Sequence, residues 1–271
     1  MVRLASSRRE AALRLFRSIA FGLLVLAIPV TLVATNIRFA ASEVRVYDYS
    51  VREYNAAAAA RIPESELIRA NRELVFYFTA DSPGPLHIVV TNTNRDDEAL
   101  FNARETAHLA DIRGLFQGLF TVQLLALALT LSLAVALFVT SPLRLLARAL
   151  LYGSLLTVAL AGATAALTYL GFDSAWRQFH FLAFTNDLWQ LDPARDHLIQ
   201  MFPRDFWFDM TLLIGAFTLL EALLIGGAAG AYLYFARPDE EGEECQSVVA
   251  ERRPLEPRPR IPPPRPRHVT H

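Results

Sequence analysis

The sequence predicts an all-α membrane protein, a four-helix transmembrane bundle carrying a small mixed α/β extracytoplasmic cap. Three observations carry the prediction. Hydrophobic residues make up 53% of the 271 positions and mean hydropathy is +0.28, although 20% of the residues are charged. The apolar residues fall into four runs, each near the roughly 20 residues a helix needs to cross ~30 Å of hydrocarbon, where a soluble core would break them with polar faces. Arginines fill the short flanks at the N-terminus, between the second and third runs, and after the fourth, which places those flanks in the cytoplasm.

Residues 1–17 form the cytoplasmic N-terminal arm, with five arginines and one acid. The first span follows at 18–37 and is read as uncleaved, because the run is long and the small-residue pattern around Ala40 to Ser42 is a weak cleavage site. Residues 38–114 make the extracytoplasmic cap; their nine arginines do not contradict the orientation, because long translocated segments contribute little to the charge rule. Within the cap, VRVYDYSV and LHIVV have the β-branched and aromatic character of strands, and SPGP is a turn signal. IPESELIRANRELVFYF carries Ile62, Leu67, Ile68, Leu74, Val75 and Phe78 at helical spacing and reads as an amphipathic helix packed on the cap. Asp96 or Asp97 is the expected N-cap of a further helix that runs through ALFNARETAHLADIRGLF and delivers His108 to the membrane surface.

The second span covers 115–140, the connector 141–149 holds Arg144 and Arg148, and the third span covers 150–172. Residues 173–209 form an aromatic outer loop, in which Asp192 and Pro193 read as a helix start leading to His197. The fourth span, 210–236, contains Glu221 near its middle, where a charge is costly and faces the bundle, and Gly226 and Gly230, whose spacing permits close helix packing. The tail, 237–271, is acidic and then rich in proline and arginine, a composition expected to be disordered; a cytoplasmic partner that binds its polyproline stretch is the alternative to a merely solvated tail.

Composition also excludes functions. A net charge of −1 gives no electrostatic basis for a nucleic-acid partner. The single cysteine, Cys245, lies in the tail, so neither an intramolecular disulfide nor an outer thiol nucleophile exists. Outer-face chemistry must then use histidine, carboxylate, hydroxyl or a metal. The sequence holds no GxSxG elbow, GxxxxGK loop or GxGxxG turn, and no HExxH or paired-cysteine spacing supports a metal; no cofactor is expected.

Two outer segments carry the candidates. Arg104, Glu105, His108 and Asp111 share one helical face, an arrangement that reads either as a solvated, charge-paired surface or as carboxylates orienting an imidazole. In the aromatic loop, His180 lies between Phe179 and Phe181 with Asn186 and Asp187 shortly after, while Trp176 and Trp207 read as ordinary interfacial anchors. A metal held by His108, Asp111, His180 and Asp187 is the alternative use of the same residues.

FNARETAHLADIR and FHFLAFTNDLWQLDPARDHLIQMFP resemble the signature segments of the lipoprotein intramolecular transacylase family, Lit, and the four-span layout matches it. The resemblance implies an enzyme of the bacterial cytoplasmic membrane whose substrate is a diacylglyceryl lipoprotein with a free N-terminal α-amine, and which moves the sn-2 acyl chain to that amine. Carried over by motif, the two key histidines fall on His108 and His180, with Arg104, Glu105, Asp111, Asn186, Asp187 and Trp189 as supporting and substrate-binding residues. Glu105, Asp111 or Asp187 would fix imidazole tautomers, and Arg104 or Asn186 would stabilise an oxyanion. The competing functions are a non-enzymatic accessory or sensor protein and a metal-dependent lipid hydrolase; mutant histidines without effect on lipoproteins would mark the first, chelator-sensitive activity the second.

Overall fold

A computed structural model of the chain describes residues 2–82 and 84–236, so the proline-rich tail, with Cys245 and the alternative reading of a partner bound to it, lies outside the described residues. Among the described residues four helices are long and apolar enough to cross a membrane: α1 (Val2–Ser42), α5 (Ala103–Thr140), α6 (Leu143–Ala183) and α8 (Arg204–Phe235). At 1.5 Å per residue the 38 residues of α5 extend about 57 Å, nearly twice the ~30 Å of hydrocarbon, so the helix runs on well beyond any span. That overhang is what carries site residues into the cap.

α1 is the hub. Its Ala20, Leu24 and Ile28 pack with Leu137 of α5 and Ala149 of α6, and Gly153 lets the Ile28 side chain press against the α6 backbone. Polar pairs stitch the apolar contacts: Thr31 to Thr130 at 2.8 Å, Arg38 to Gln123 at 3.1 Å, and Asn36 Nδ2 donating to Glu221 Oε2 at 2.9 Å and to Thr218 at 3.0 Å. Glu221 thus faces a partner helix, as an intramembrane carboxylate must. Gly226 likewise admits Ser154 of α6, whose Cβ would lie only 2.8 Å from a Cβ at position 226. Late in α6, Gly171 leaves helical backbone (φ −176°, ψ 56°) and separates the long apolar part from a final stretch that ends at Ala183.

The cap differs from the expected mixed α/β layer: it is helical apart from one tiny hairpin. VRVYDYSV, expected as a strand, forms α2 (Val44–Glu53), whose Tyr47, Ser50 and Val51 are buried at helical, not alternating, spacing. Glu43 caps it by accepting from Arg45 N, and helical pairing inside the core outweighs the β preference of valine and tyrosine. α3 (Ala56–Ala60) and α4 (Glu64–Thr79) follow, the latter burying Leu67, Ala70, Leu74, Tyr77 and Phe78. LHIVV contributes only Val89 and Val90 to β1 (Val89–Thr91), which pairs antiparallel with β2 (Asp97–Ala99), Val89 opposite Ala99.

Asp97 belongs to β2, and neither Asp96 nor Asp97 caps α5; the cap is Asn102. Asp192 likewise starts no helix. Its carboxylate accepts from Ala194 N in a turn, and the short α7 (His197–Met201) begins after Asp196. A single apolar cluster, including Tyr47, Ile62, Leu74, Phe78, Leu100, Leu109, Met201 and Phe206, joins the cap helices to the starts of α5 and α8. At ~1.5–3 kcal/mol per buried large side chain, it fixes the cap as one body against the ends of the long helices.

Candidate active site

The register of α5 is set at its first turn. Asn102 Oδ1 accepts from Arg104 N at 2.9 Å and Glu105 N at 3.0 Å, while Glu105 Oε2 accepts from Asn102 N at 2.8 Å, a reciprocal capping box. The other oxygen of Glu105, on a side chain only 1% exposed, accepts from Leu198 N at 2.7 Å. Burial raises the pKa of this carboxyl, and the two N–H donors oppose the rise. Glu105 is therefore bound to backbone, and its carboxylate bonds neither histidine.

One turn further, the same face of α5 grips the loop after α6. Arg104 Nη2 donates to Asp187 O at 2.6 Å and Nε to Leu188 O at 3.4 Å. Asn186 Nδ2 donates to Asp111 Oδ2 at 2.9 Å, and Asn186 Oδ1 accepts from Leu188 N at 3.1 Å, closing the turn. Asp187 enters through its backbone carbonyl. The guanidinium and the amide that sequence offered as oxyanion donors are thus engaged in holding the loop.

His108 and His180 come together between these two elements, from positions 72 apart in the sequence (180 − 108). Their ring centroids are 6.4 Å apart at 33°, and the side chains are 4% and 7% exposed. His180 Nδ1 lies 2.8 Å from Trp176 O. A carbonyl only accepts, so Nδ1 carries the proton and the lone pair of the neutral ring is on Nε2. Aromatic rings box His180 in: Trp189 and Trp176 each at 4.7 Å, Phe179 at 5.3 Å and Phe184 at 5.7 Å. Phe184 also stands edge-on to His108 at 5.0 Å. His108 Nδ1 is buried without a hydrogen-bond partner among the described residues.

Both histidines precede or follow the apolar runs of their helices. Burial pushes the His108 pKa down to about 4, with His180 and Arg104 adding to the fall and Asp111 opposing it. Burial lowers that of His180 as well, against the Trp176 carbonyl. Two neutral imidazoles with free nitrogens therefore face one another near pH 7, able to accept one proton and donate another.

Beside them opens a cavity of about 280 Å³, lined by Ala110, Asp111, Gly114 and Leu115 of α5 and by Ala183, Phe184, Thr185 and Asn186. Phe184 is the wall it shares with the histidine pair. Among the described residues no group of three or more His, Cys, Asp and Glu is placed to hold a metal ion, Asp111 and Asp187 being turned to the loop contacts above. His197 is elsewhere, its Nδ1 on Leu100 O at 2.7 Å. Phe184 and the role of Trp176 are not evident from sequence; the one available signal was the four-residue step from Trp176 to His180, which on a helix stacks side chain on side chain.

No curated protein matches the chain. Among solved structures, the membrane-integral lipoprotein intramolecular transacylase Lit from Bacillus cereus superposes with TM-score 0.70 at 19% identity, over 81% of this chain and 96% of the other. Two structures of the same protein with a histidine substituted match similarly: the arginine variant at TM-score 0.67, 18% identity and 86% and 97% coverage, the alanine variant at 0.66, 18%, and 81% and 94%. These likenesses establish a shared fold, that of an integral membrane protein. The family model described as lipoprotein intramolecular transacylase Lit matches residues 22–207, more than half of the sequence, and encloses both histidines, the loop they share, all of α5 and α6 and the second half of α1; the chain belongs to the Lit family.

Proposed function

We propose that the protein is a lipoprotein intramolecular transacylase that moves the sn-2 acyl chain of a diacylglyceryl-cysteine lipoprotein to that lipoprotein's own N-terminal α-amine, with His108 and His180 as its acid–base pair. The observation that carries the reading is the pair itself: two buried, neutral imidazoles 6.4 Å apart, a gap that one substrate can bridge. His180, whose Nδ1 is held by the Trp176 carbonyl so that Nε2 carries the lone pair, takes a proton from the attacking nitrogen. The nitrogen bonds the ester carbonyl carbon, and the bond from that carbon to the glyceryl oxygen breaks. As the departing oxygen takes a proton from one nitrogen of His108, the proton held by His180 passes to the other, so that neither ring becomes an anion and both end neutral. One ester is consumed, one amide and one free hydroxyl are formed, and no water or enzyme nucleophile takes part.

Direct transfer suffices because amine and ester belong to one molecule and already have a high effective concentration. Trp189, Trp176 and Phe184 hold the imidazoles and exclude water; Arg104, Asn186, Asp111 and the backbone of Asp187 hold the loop in place; Glu105 holds the helix start. The arginine-bearing flanks support a cytoplasmic location for the arm at 1–17, the connector at 141–149 and the tail at 237–271, which puts the cap and the histidines on the extracytoplasmic face. There the acyl chains remain in hydrocarbon while the polar head enters the site, each buried CH₂ being worth about 0.8 kcal/mol.

The test is mass spectrometry of N-terminal lipopeptides from a bacterium that makes only diacylglyceryl lipoproteins. Expression of the parent converts them to N-acyl, S-monoacyl peptides, and the His108→Ala and His180→Ala variants, present at equal abundance, do not. Unchanged peptides with the well-expressed parent would refute transacylation and point to an accessory protein, while chelator-sensitive release of fatty acid would point to a hydrolase.

A further inference from the structure

The cavity beside the histidine pair has a chemistry that the acid–base reading leaves unused. Asp111 is the one charged residue in its lining. The carboxylate is oriented but not neutralised: Oδ2 accepts from the uncharged Asn186 amide at 2.9 Å, and among the described residues no donor is bonded to Oδ1 and no ion pair involves Asp111. The nearby cation, Arg104, directs its guanidinium to the carbonyls of Asp187 and Leu188 instead. A lone carboxylate with one free oxygen, in a half-enclosed space with room at Gly114, where a Cβ would meet nothing within 4 Å, is complementary to a compact cation.

We propose that this cavity binds the free α-ammonium of the substrate's N-terminal cysteine, with Asp111 as its anchoring carboxylate; the proposal rests on the transacylase reading above. An α-amine titrates near 7.7–8.0, so at neutral pH it arrives mostly as the ammonium, which a carboxylate complements through a charge-assisted hydrogen bond. The cavity meets the geometry of transfer. Phe184 lines the cavity and packs against both imidazoles, so the cavity adjoins the pair, and Asp111 stands one turn along α5 from His108, near enough to oppose the fall of its pKa. Leu115 of its lining opens the apolar run of α5, along which the acyl chains would extend.

The same pairing separates substrate from product. The ammonium loses one proton to solvent water as the free amine forms and a second through the two imidazoles to the glyceryl oxygen during transfer; the acylated nitrogen is then an uncharged amide, and Asp111 no longer holds it. Recognition by Asp111 therefore favours binding before transfer and release after it.

The experiment uses the full chain in nanodiscs and an unreactive dialkyl-ether analogue of the diacylglyceryl-cysteine peptide, either with a free amine or N-acetylated. The parent binds the free amine at least ~10-fold more tightly than the acetylated form, as a charge-assisted contact allows. Asp111→Asn keeps the bond from Asn186 and loses that preference, and Asp111→Glu, which keeps the charge, retains it. Equal preference in Asp111→Asn and the parent, or equal behaviour of the Asn and Glu variants, overturns the proposal. Conversion of the ester form by the parent is measured alongside: its failure sinks the transacylase reading, whereas conversion with an undiminished preference in Asp111→Asn sinks the ammonium site alone.

Discussion

Glu105 accepts the backbone N–H of Leu198 at 2.7 Å, joining the first turn of α5 to the first turn of α7 across 93 residues of chain. Because its second oxygen closes the capping box with Asn102, one buried carboxylate satisfies two donors that would otherwise be orphaned.

Glu105→Ala should accordingly behave as a stability mutant. Loss of the cap and exposure of an unpaired buried N–H at Leu198 together cost on the order of 2–4 kcal/mol. Thermal unfolding in detergent would show a lower midpoint, with the fraction that remains folded still converting lipopeptide. A variant of parental stability and no activity would instead mean that the carboxylate acts on the imidazoles.

Arg104→Ala separates loop tethering from oxyanion stabilisation. The guanidinium holds the carbonyls of Asp187 and Leu188 and is exposed, so its removal should loosen residues 184–190 with a stability change of only about 1 kcal/mol. Hydrogen exchange should rise in that segment while α5 remains protected, and conversion should fall roughly 10-fold through misplacement of the neighbouring groups. Unchanged exchange with a loss of a thousandfold or more in turnover would assign the arginine to the reacting atoms.

Much of this arrangement was legible in the sequence, and its limits have physical causes. The long helices could be read because each apolar run is the length of a bilayer. The two histidine segments were legible as motifs on separate outer stretches. Their convergence was not, because it depends on Arg104 and Asn186–Asp111 contacts between distant segments. α2 was misread because VRVYDYSV has local β character, whereas its buried Tyr47, Ser50 and Val51 follow the helical period only once the core they face is known. The start of α5 was placed too early because Asp96 and Asp97 are good caps in isolation; the hairpin uses that stretch, and Asn102 with Glu105 forms the complete capping box. Glu105 is one of three carboxylates that the sequence offers for orienting an imidazole, and it shares a helix face with His108, but each of its oxygens accepts from a backbone N–H.

Trp189 packs on the His180 ring at 4.7 Å and 33°, while the Trp176 carbonyl fixes that ring's tautomer. Trp189→Phe should keep the ring in place and retain most activity, whereas Trp189→Ala should allow it to turn and admit water. A fall of ~10–100-fold in the rate of transfer, with little change in substrate affinity, is expected for the alanine variant. Equal rates for the two variants would show that the ring needs no aromatic neighbour there.

Acid stability tests the environment of His108 directly. An unfolded histidine takes up a proton near 6.5, but burial holds that of His108 near 4 in the folded chain. Between those values the unfolded state binds more protons, so this residue's contribution to stability is present in full above pH 6.5 and is lost progressively as pH falls through 4. His180, lowered too, acts in the same sense. Glu105, whose pKa is raised, acts in the opposite sense over the range above its ordinary value, so the parent's profile alone is a sum. The difference between the parent and His108→Phe isolates the term: the gap between their unfolding midpoints should move on the order of 5 °C in favour of the variant between pH 7 and pH 4. A pH-independent gap would show that His108 titrates normally and is open to water, which would remove the dry, neutral imidazole on which its part in proton transfer depends.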